Sequence, residues 1–272
     1  MSAKQKKRES RFIDELNRRS DAENDALYDS VPDSHGGTHY GTDIAKHMFA
    51  GAYESRDANV AAGAPARAYV LDRFKRDMAN GKHPGKSFVV FTAGGPGSGK
   101  SETLIQGLVE VTDALVFDST LTDLGNAREL VAAAIAGGKG VQIAYVHRPV
   151  ELAMKFAIER ATKKGMYVAP ARLGEDHWKA QNNLLILAKE FSGNPTVEIL
   201  VFDNRGRKED IRQVGHGIDF FNAPENVSER YADKNNTIRR AIEADGGEIA
   251  RRMDARNVTT DKSGDGSRPT GD

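Results

Sequence analysis

Residues 87–101 have the sequence SFVVFTAGGPGSGKS, which determines how the rest of the chain is interpreted. The apolar run Phe88–Phe91 is typical of a buried strand. Residues 94–101 satisfy the phosphate-loop pattern G-x-x-x-x-G-K-[ST]. Beyond them, apolar positions such as Leu104 and Leu108 indicate an amphipathic helix. A strand, a glycine loop and a helix in this order predict a nucleotide-binding site.

The loop residues have the chemistry that a bound phosphate requires. Glycines allow positive φ angles and let backbone N–H groups approach an anion without an intervening Cβ atom. The N-terminus of the following helix adds partial positive charge. Lys100 is expected to reach the β- and γ-phosphates of ATP, and the Ser101 hydroxyl to bind Mg²⁺. The predicted nucleotide-binding residues are Gly94, Gly95, Pro96, Gly97, Ser98, Gly99, Lys100 and Ser101.

The overall composition limits the class of protein. The 272 residues include 39 Lys and Arg and 39 Asp and Glu, so the net charge is zero. Neither a nucleic acid nor an anionic membrane is therefore an expected partner. The chain has no cysteine, which excludes disulfides and thiolate metal sites. No apolar run has membrane-spanning length, and no secretory h-region follows Met1, so we expect a cytoplasmic protein.

Downstream of the loop, short apolar runs alternate with helix-length segments. This alternation predicts an α/β fold with a parallel sheet of about five strands and helices on both faces. The predicted strands are Phe88–Phe91, Ala114–Phe117, Val141–Val146 and Val197–Phe202, with a fifth near Thr38–Thr42.

The chain divides into four segments by charge and apolar content. Residues 1–35 form a charged N-terminal extension, and residues 36–222 form the α/β domain. Residues 223–258 are expected to form a charged C-terminal helix. Residues 259–272 are too polar and too rich in glycine to fold.

Three local predictions concern helix boundaries. Residues 1–30 carry sparse apolar positions, which suggest one helix with a thin apolar stripe. Pro65 is expected to begin a helix that ends at Gly81, after a loop over residues 55–64. Residues 165–174 are expected to form another loop.

Asp118 ends a predicted strand, as the glycine loop does. In open α/β sheets the ligand lies beyond the carboxyl ends of the strands. A carboxylate there can hold the water shell of Mg²⁺ or orient a phosphoryl acceptor. The alternative is that Asp118 serves only as a turn or capping residue, because Ser119 and Thr120 follow it.

Arg160 and Arg172 are the candidate cations. Arg160 lies near the end of a predicted helix, and Arg172 lies in the predicted loop beyond it. A kinase lid needs cations to neutralise charge on the transferred phosphoryl group. Cations near a helix C-terminus are also common because they suit the helix dipole, so spacing alone leaves both interpretations open.

Several short motifs, together with the glycine loop, resemble the zeta toxin family over about residues 87–207. That family consists of P-loop kinases that act on small molecules, and several members phosphorylate the 3′-hydroxyl of UDP-activated amino sugars. The motifs are Leu115–Thr120, Tyr145–Pro149, Ile158–Arg160, Ala171–Arg172, His177 and Val201–Gly206.

The resemblance implies a P-loop kinase-like fold and roles for particular residues. It implies that Lys100 and Ser101 bind ATP and Mg²⁺, and that Arg160 and Arg172 match two arginines that contact phosphate. Asp118 matches an acid at a strand end. It also implies a small-molecule hydroxyl substrate and makes an antitoxin protein a candidate partner.

The chain departs from the family pattern in front of Asp118. The family has a strand that ends in a catalytic aspartate between the helix of the glycine loop and the strand-end acid. Only seventeen residues separate Lys100 from Asp118, too few for that insertion. The segment Gly41–Lys46, followed by Tyr53, resembles the missing piece moved ahead of the loop.

Asp43 is therefore the candidate general base, the group that accepts the proton of the substrate hydroxyl. This hypothesis predicts that Asp43 faces Lys100 and Asp118 across one cleft, with Arg160 or Arg172 on the far wall. The alternative is that Thr42 or Asp43 only caps the helix that begins there.

Three other functions compete with a small-molecule kinase. A polynucleotide kinase would share the fold, although the zero net charge is against it. A non-kinase P-loop ATPase would need an Asp-Glu pair at the strand end, whereas Asp118 is followed by Ser119. A nucleotide-binding module would keep the glycine loop without needing Asp43, Arg160 and Arg172 to converge. A GTPase is disfavoured because the chain has no N-K-x-D motif.

Overall fold

A computed structural model describes residues 1–100, 113–164, 170–206, 212–214, 217–230, 232–233, 239–240 and 243, without the side chains of Arg56, residues 159–164, Pro170 and Arg212. Ser101, the helix predicted after it and the predicted C-terminal tail lie outside these residues, as does most of the predicted C-terminal helix. Among the helices in the described ranges, none combines the length and the apolar composition needed to cross a membrane.

The described residues form one six-stranded sheet, which confirms the predicted α/β architecture. The strand order is β1-β3-β2-β4-β5-β6. Strands β1 to β5 are parallel, and the short β6 is antiparallel to β5. The strands are β1 (His39–Gly41), β2 (Phe88–Ala93), β3 (Ala114–Asp118), β4 (Gly140–His147), β5 (Val197–Asp203) and β6 (Arg212–Gln213).

Among the described residues, helices pack against the face of the sheet that carries the main hydrophobic core, whereas the small cluster on the other face consists of strand residues. On β2 and β4, Phe91 and Ile143 join the main hydrophobic core, whereas Val90 and Ala144 belong to a separate cluster. The alternation follows from the two-residue period of a strand. The helices are α1 (Ala3–Asn17), α2 (Asp21–Asp29), α3 (Thr42–Lys46), α4 (Arg56–Ala79), α5 (Leu124–Ala136), α6 (Val150–Lys164) and α7 (Pro170–Glu190), with short 3₁₀ turns at Pro32–Ser34, Gly217–Asn222 and Pro224–Asn226.

The carboxyl ends of the parallel strands meet at one edge of the sheet. Gly41 of β1 lies in register with Asp118 of β3, and Asp118 with Thr92 of β2. At the other side of β2, the ends of β4 and β5 are in register at His147 and Asp203. The glycine loop, the loop after β3 and helix α3 therefore all begin at this edge.

The N-terminal segment contains two helices, so the prediction of one helix was wrong. Ser2 and Ser20 each accept a hydrogen bond from the backbone N–H three residues later. The side chains of Gln5 and Glu23 return the bond, which completes a capping box at each helix start. A second capping box at Ser20 was the signal for a new helix.

The predicted loops over residues 55–64 and 165–174 were also wrong in part. Helix α4 begins after Ser55, whose hydroxyl accepts from the backbone N–H of Ala58, and it runs through Pro65. An interior proline costs about 3 kcal/mol in an isolated helix. Here Ala61, Ala62 and Ala66 are buried in the main core, and this packing offsets the cost. Helix α7 begins at Pro170, which suits a first helical position.

Helix α2 covers the outer edge of β1. The Tyr28 hydroxyl accepts a hydrogen bond from the Gly41 N–H at 2.8 Å and donates one to the His39 carbonyl at 2.8 Å. One side chain thus satisfies a donor and an acceptor that a neighbouring strand would otherwise bind. The N-terminal segment is packed into the domain, because Phe12 and Tyr28 are fully buried in the main core.

A fully buried arginine ties α2 to α4 behind β1. The Arg73 guanidinium contacts Asp29 at 2.5 Å and Asp77 at 3.3 Å. Asp77 also accepts a hydrogen bond from the Tyr40 hydroxyl of β1 at 2.7 Å. A buried charge needs such partners, and removing one partner of a buried pair typically costs about 3–5 kcal/mol. This network fixes β1 against the helices that cover it.

Candidate active site

The glycine loop has the backbone that the sequence predicts. Gly94, Gly97 and Gly99 all have positive φ angles. At Gly94, a Cβ atom would lie only 2.6 Å from the carbonyl oxygen of Val146, so the tight packing of the loop against β4 requires glycine there.

Three side chains bind the carbonyl oxygens of consecutive loop residues. The His177 Nε2 bonds the Pro96 carbonyl at 2.9 Å, and the Arg148 guanidinium donates to the Gly97 carbonyl at 3.0 Å. The Asn204 amide donates to the Ser98 carbonyl at 2.7 Å. The carbonyl and N–H of a peptide unit point in opposite directions. Fixing these carbonyls therefore points the N–H groups of the same peptide units the other way, as in a loop that binds an anion. Among them, the Ser98 N–H donates to the Gly95 carbonyl at 3.2 Å.

These three residues had no role in the sequence-based site, although their positions carried a signal. Arg148 comes directly after β4 and Asn204 directly after β5, at strand ends where ligands bind in α/β sheets. His177 lies on α7, and a Cβ atom on Gly95 would overlap its imidazole. The sequence could not show that α7 packs on the loop.

Lys100 lies inside the loop. Its buried ammonium donates to the carbonyl of Gly94 at 2.5 Å and to that of Gly95 at 3.3 Å. Ser101, the predicted Mg²⁺ ligand, lies outside the described residues. The contacts put the Lys100 ammonium next to the first glycines of the loop, where it can neutralise a phosphate.

Polar atoms around the loop fit a polar ligand. The buried Ser98 hydroxyl and the Asn204 Oδ1 have no hydrogen-bond partner in the described part of the chain. Buried polar groups are usually paired, so such atoms beside a phosphate-binding loop are an expected feature of a binding site. The loop, Lys100 and these polar atoms fit the triphosphate of a nucleotide.

Two buried histidines near the glycine loop are in their neutral form. Burial, together with the nearby charges of Lys100 and Arg148, lowers the pKa of His177 to about 4, against the opposing effect of its bond to Pro96. Burial lowers the pKa of His147, at the end of β4, to about 3, helped by Arg205 and His177. At neutral pH the His177 Nε2–H therefore donates to the Pro96 carbonyl without adding positive charge to the loop.

Asp118 is held next to the start of the loop. Its Oδ1 accepts a hydrogen bond from the Thr92 hydroxyl at 2.9 Å, and the Thr92 hydroxyl oxygen accepts from the Ser119 N–H at 3.2 Å. Thr92 precedes Gly94 by two residues. A carboxylate in this position fits Mg²⁺, which is usually bound by one or two carboxylates together with substrate phosphates. No group of three or more potential metal ligands occurs among the described residues.

Asp43 lies in the first turn of α3, two residues after Gly41. Because Gly41 is in register with Asp118, Asp43 follows β1 at the edge of the sheet where the glycine loop begins. The expectation that Thr42 or Asp43 caps α3 was wrong. Gly41 is the N-cap and no side chain caps it, whereas the Asp43 carboxylate bonds the Lys46 ammonium at 2.8 Å.

The two predicted arginines are not brought to the loop by any described contact. Arg172 lies in the first turn of α7, where its side chain is 77% exposed and pairs with Asp176 at 3.4 Å. The Arg160 side chain lies outside the described part of α6. Helix α7 also carries His177, which contacts the loop, so Arg172 is on an element that reaches the site. The roles of both arginines stay predictions.

Comparison with known families finds a match in the segment that follows the glycine loop. Residues 102–214 match the family model described as Zeta toxin. The resemblance to the zeta toxin family is thereby confirmed. The match covers less than half of the chain, begins directly after Ser101, and contains Asp118, Arg160 and Arg172 but not Asp43. The family is P-loop kinase-like, in agreement with the fold. No curated protein matches the chain significantly.

Proposed function

We propose that this protein is an ATP-dependent phosphotransferase that transfers the γ-phosphate of ATP to a hydroxyl group of a small molecule, with a nucleotide sugar as the leading candidate. The observation that supports it best is the position of β1. That strand, although it precedes the glycine loop in sequence, adds to the sheet beside β3 and leads to Asp43 at the carboxyl edge. A plain nucleotide-binding module has no need of a carboxylate delivered there.

The proposed reaction is an in-line displacement. The acceptor hydroxyl oxygen forms a bond to the γ-phosphorus, the bond from that phosphorus to the β–γ bridging oxygen breaks, and ADP leaves. The hydroxyl proton goes to the Asp43 carboxylate, which acts as general base. Little covalent chemistry is left for the protein, so catalysis depends on positioning and on neutralising charge.

The remaining residues bind and neutralise the phosphates. The loop N–H groups and the Lys100 ammonium bind the β- and γ-phosphates. Asp118 and Ser101 would hold Mg²⁺, which neutralises negative charge on the phosphates when bound. Arg160 and Arg172 are assigned to the charge that grows in the transition state, which requires Arg172 to leave Asp176. The same proposal includes an antitoxin protein as an inhibitory partner and a location in the cytoplasm.

An acceptor screen tests the proposal. The full chain is incubated with ATP, Mg²⁺ and one of three acceptor classes, namely nucleotide sugars, nucleosides or oligonucleotides. ADP and the phosphorylated acceptor are then measured. We expect stoichiometric ADP and phosphorylated acceptor with a small-molecule class, and neither product with Lys100→Ala.

Two controls make the screen decisive. Lys75→Ala removes an exposed lysine of α4 that pairs with Glu129, away from the loop, and should keep full transfer. Transfer to oligonucleotides alone would replace the proposal with a polynucleotide kinase. ADP release without any phosphorylated acceptor would replace it with an ATPase.

A further inference from the structure

The helix that carries Asp43 is too short to fix its own geometry. Helix α3 has five residues and no side-chain cap at its N-terminus. Isolated helices of this length are unstable in water because nucleation is not offset by enough hydrogen bonds. The position of the Asp43 carboxylate must therefore be set by contacts with the rest of the protein.

Lys46 binds the Asp43 side chain and ties it to α4. Its ammonium donates to the Asp43 Oδ1 at 2.8 Å and to the Asn59 Oδ1 at 3.2 Å. The Lys46 side chain is only 13% exposed, whereas that of Asp43 is 54% exposed. The lysine is thus packed against the protein while the carboxylate faces outward. Within the described residues, the Asp43 Oδ2 has no hydrogen-bond partner.

Tyr53 binds the backbone of the same residue. Its hydroxyl donates to the Asp43 carbonyl at 2.8 Å, and its ring stacks on the His47 ring at a centroid distance of 4.5 Å. Burial raises the pKa of Tyr53 to about 12, with further contributions from the charges of Asp43 and Asp33. The hydroxyl therefore stays protonated and keeps donating throughout the neutral range.

The segment that carries Tyr53 is itself held from the other side by α1. The Arg11 guanidinium donates to the Ala50 carbonyl at 2.6 Å, and the Arg8 guanidinium donates to the Ser55 hydroxyl at 2.6 Å. These bonds flank Tyr53 on both sides in the sequence. The contacts with α1 thus fix the segment that carries Tyr53, and Tyr53 in turn contacts Asp43.

We propose that Lys46 and Tyr53 are positioning residues that fix Asp43 with one carboxylate oxygen occupied and the other free for the acceptor hydroxyl. The inference rests on the proposed role of Asp43 as general base. An ion pair with a half-exposed partner contributes little to folding, about 0–1 kcal/mol. Removing the Lys46 contact should therefore affect catalysis much more than stability.

The test compares Lys46→Met, Lys46→Arg and Tyr53→Phe with Asp43→Asn and with Lys75→Met, a lysine of α4 away from Asp43. Acceptor-dependent kcat and KM, the Kd for ATP and the unfolding midpoint are measured for each. We expect Lys46→Met to lower kcat about tenfold or more, with ATP Kd and unfolding midpoint unchanged. Lys46→Arg should recover part of that kcat, because the cation is kept. Tyr53→Phe should lower kcat by a smaller factor.

The outcomes separate this inference from the proposed function. Loss of transfer in Asp43→Asn with wild-type kcat in both Lys46→Met and Tyr53→Phe would overturn the positioning role alone. Full transfer in Asp43→Asn would overturn the base assignment and the positioning role with it. If Lys46→Met lowers the unfolding midpoint, Lys46→Arg and Tyr53→Phe decide the question, since both keep most of the packed side chain.

Discussion

Gly41 and Asp118 lie in register at the carboxyl ends of β1 and β3. A Cβ atom on Gly41 would lie 3.9 Å from the Asp118 Cβ, so the two chain segments are in direct contact. Asp118 in turn bonds Thr92, which leads into the glycine loop. This contact brings a segment near the N-terminus to the edge of the sheet where the glycine loop begins, although the two segments are far apart in the sequence.

Asp43→Asn should strongly slow phosphotransfer while keeping ATP binding. The amide has nearly the shape of the carboxylate but cannot accept the hydroxyl proton. General base catalysis contributes about 10²–10⁴-fold, so kcat should fall by a factor within that range. Single-turnover transfer and the Kd for ATP, measured by calorimetry, check the prediction.

The control for Asp43→Asn is Asp33→Asn. Asp33 is an exposed acid in the 3₁₀ turn before β1, close enough to influence Tyr53 electrostatically. Its removal should leave kcat unchanged. Equal transfer rates in Asp43→Asn and Asp33→Asn would remove Asp43 from the chemistry and leave the ATP site intact.

The sheet was predictable from sequence because its strands are local apolar runs. Val89–Phe91 and Ala114–Phe117 are buried on both faces, so each appears as a continuous apolar segment. The segment near Thr38 was also expected to be a strand, and β1 confirms it. The prediction that α4 begins at Pro65 was wrong, because the local preference of proline was given more weight than the burial of neighbouring alanines.

The strand ends indicated Arg148 and Asn204, but the contacts that support the glycine loop could not be predicted because they join distant segments. His177 and Pro96 are 81 residues apart, and Ser98 and Asn204 are 106 residues apart. Periodicity and motif spacing describe neighbours along the chain only. Arg172 was placed in a loop although Pro170, two residues before it, is a residue type favoured at the first position of a helix.

Arg172→Ala should lower kcat more than ATP affinity. An arginine that meets charge only in the transition state affects kcat and kcat/KM equally. The Arg172 side chain is exposed and pairs only with Asp176 among the described residues, so the unfolding midpoint should not change measurably.

Arg160→Ala is expected to behave in the same way as Arg172→Ala. Lysine at either position should rescue poorly, because an ammonium lacks the planar fork of a guanidinium. Steady-state kinetics of the four variants with saturating acceptor give the comparison. A wild-type kcat in both alanine variants would remove these arginines from the proposed transition-state role.

Tyr28→Phe should destabilise the protein by about 1–3 kcal/mol. The change removes one oxygen atom, yet it leaves the Gly41 N–H and the His39 carbonyl of a buried edge strand without their partner. Urea unfolding at neutral pH measures the loss. Tyr53→Phe serves as the control, because its hydroxyl is half-buried and binds a single carbonyl. If both variants unfold at the same urea concentration, the Tyr28 hydroxyl does not hold β1.

The free energy of unfolding should fall as the pH is lowered from about 6.5 to about 4, in part because of His177. Its pKa is lowered from 6.5 to about 4 by burial, so the unfolded chain binds the proton first as the pH falls. The contribution is fully present above about pH 6.5 and is lost through that window. A shift of this size corresponds to a loss on the order of 3 kcal/mol.

His177→Gln keeps an N–H that can donate to Pro96 but cannot be protonated, so it should flatten the dependence by about one proton. Urea unfolding at pH 7, 6, 5 and 4 gives the slope for the wild type, for His177→Gln and for His35→Gln, an exposed histidine, as control. An identical slope in wild type and His177→Gln would mean that the His177 ring has the same pKa in the folded and in the unfolded protein.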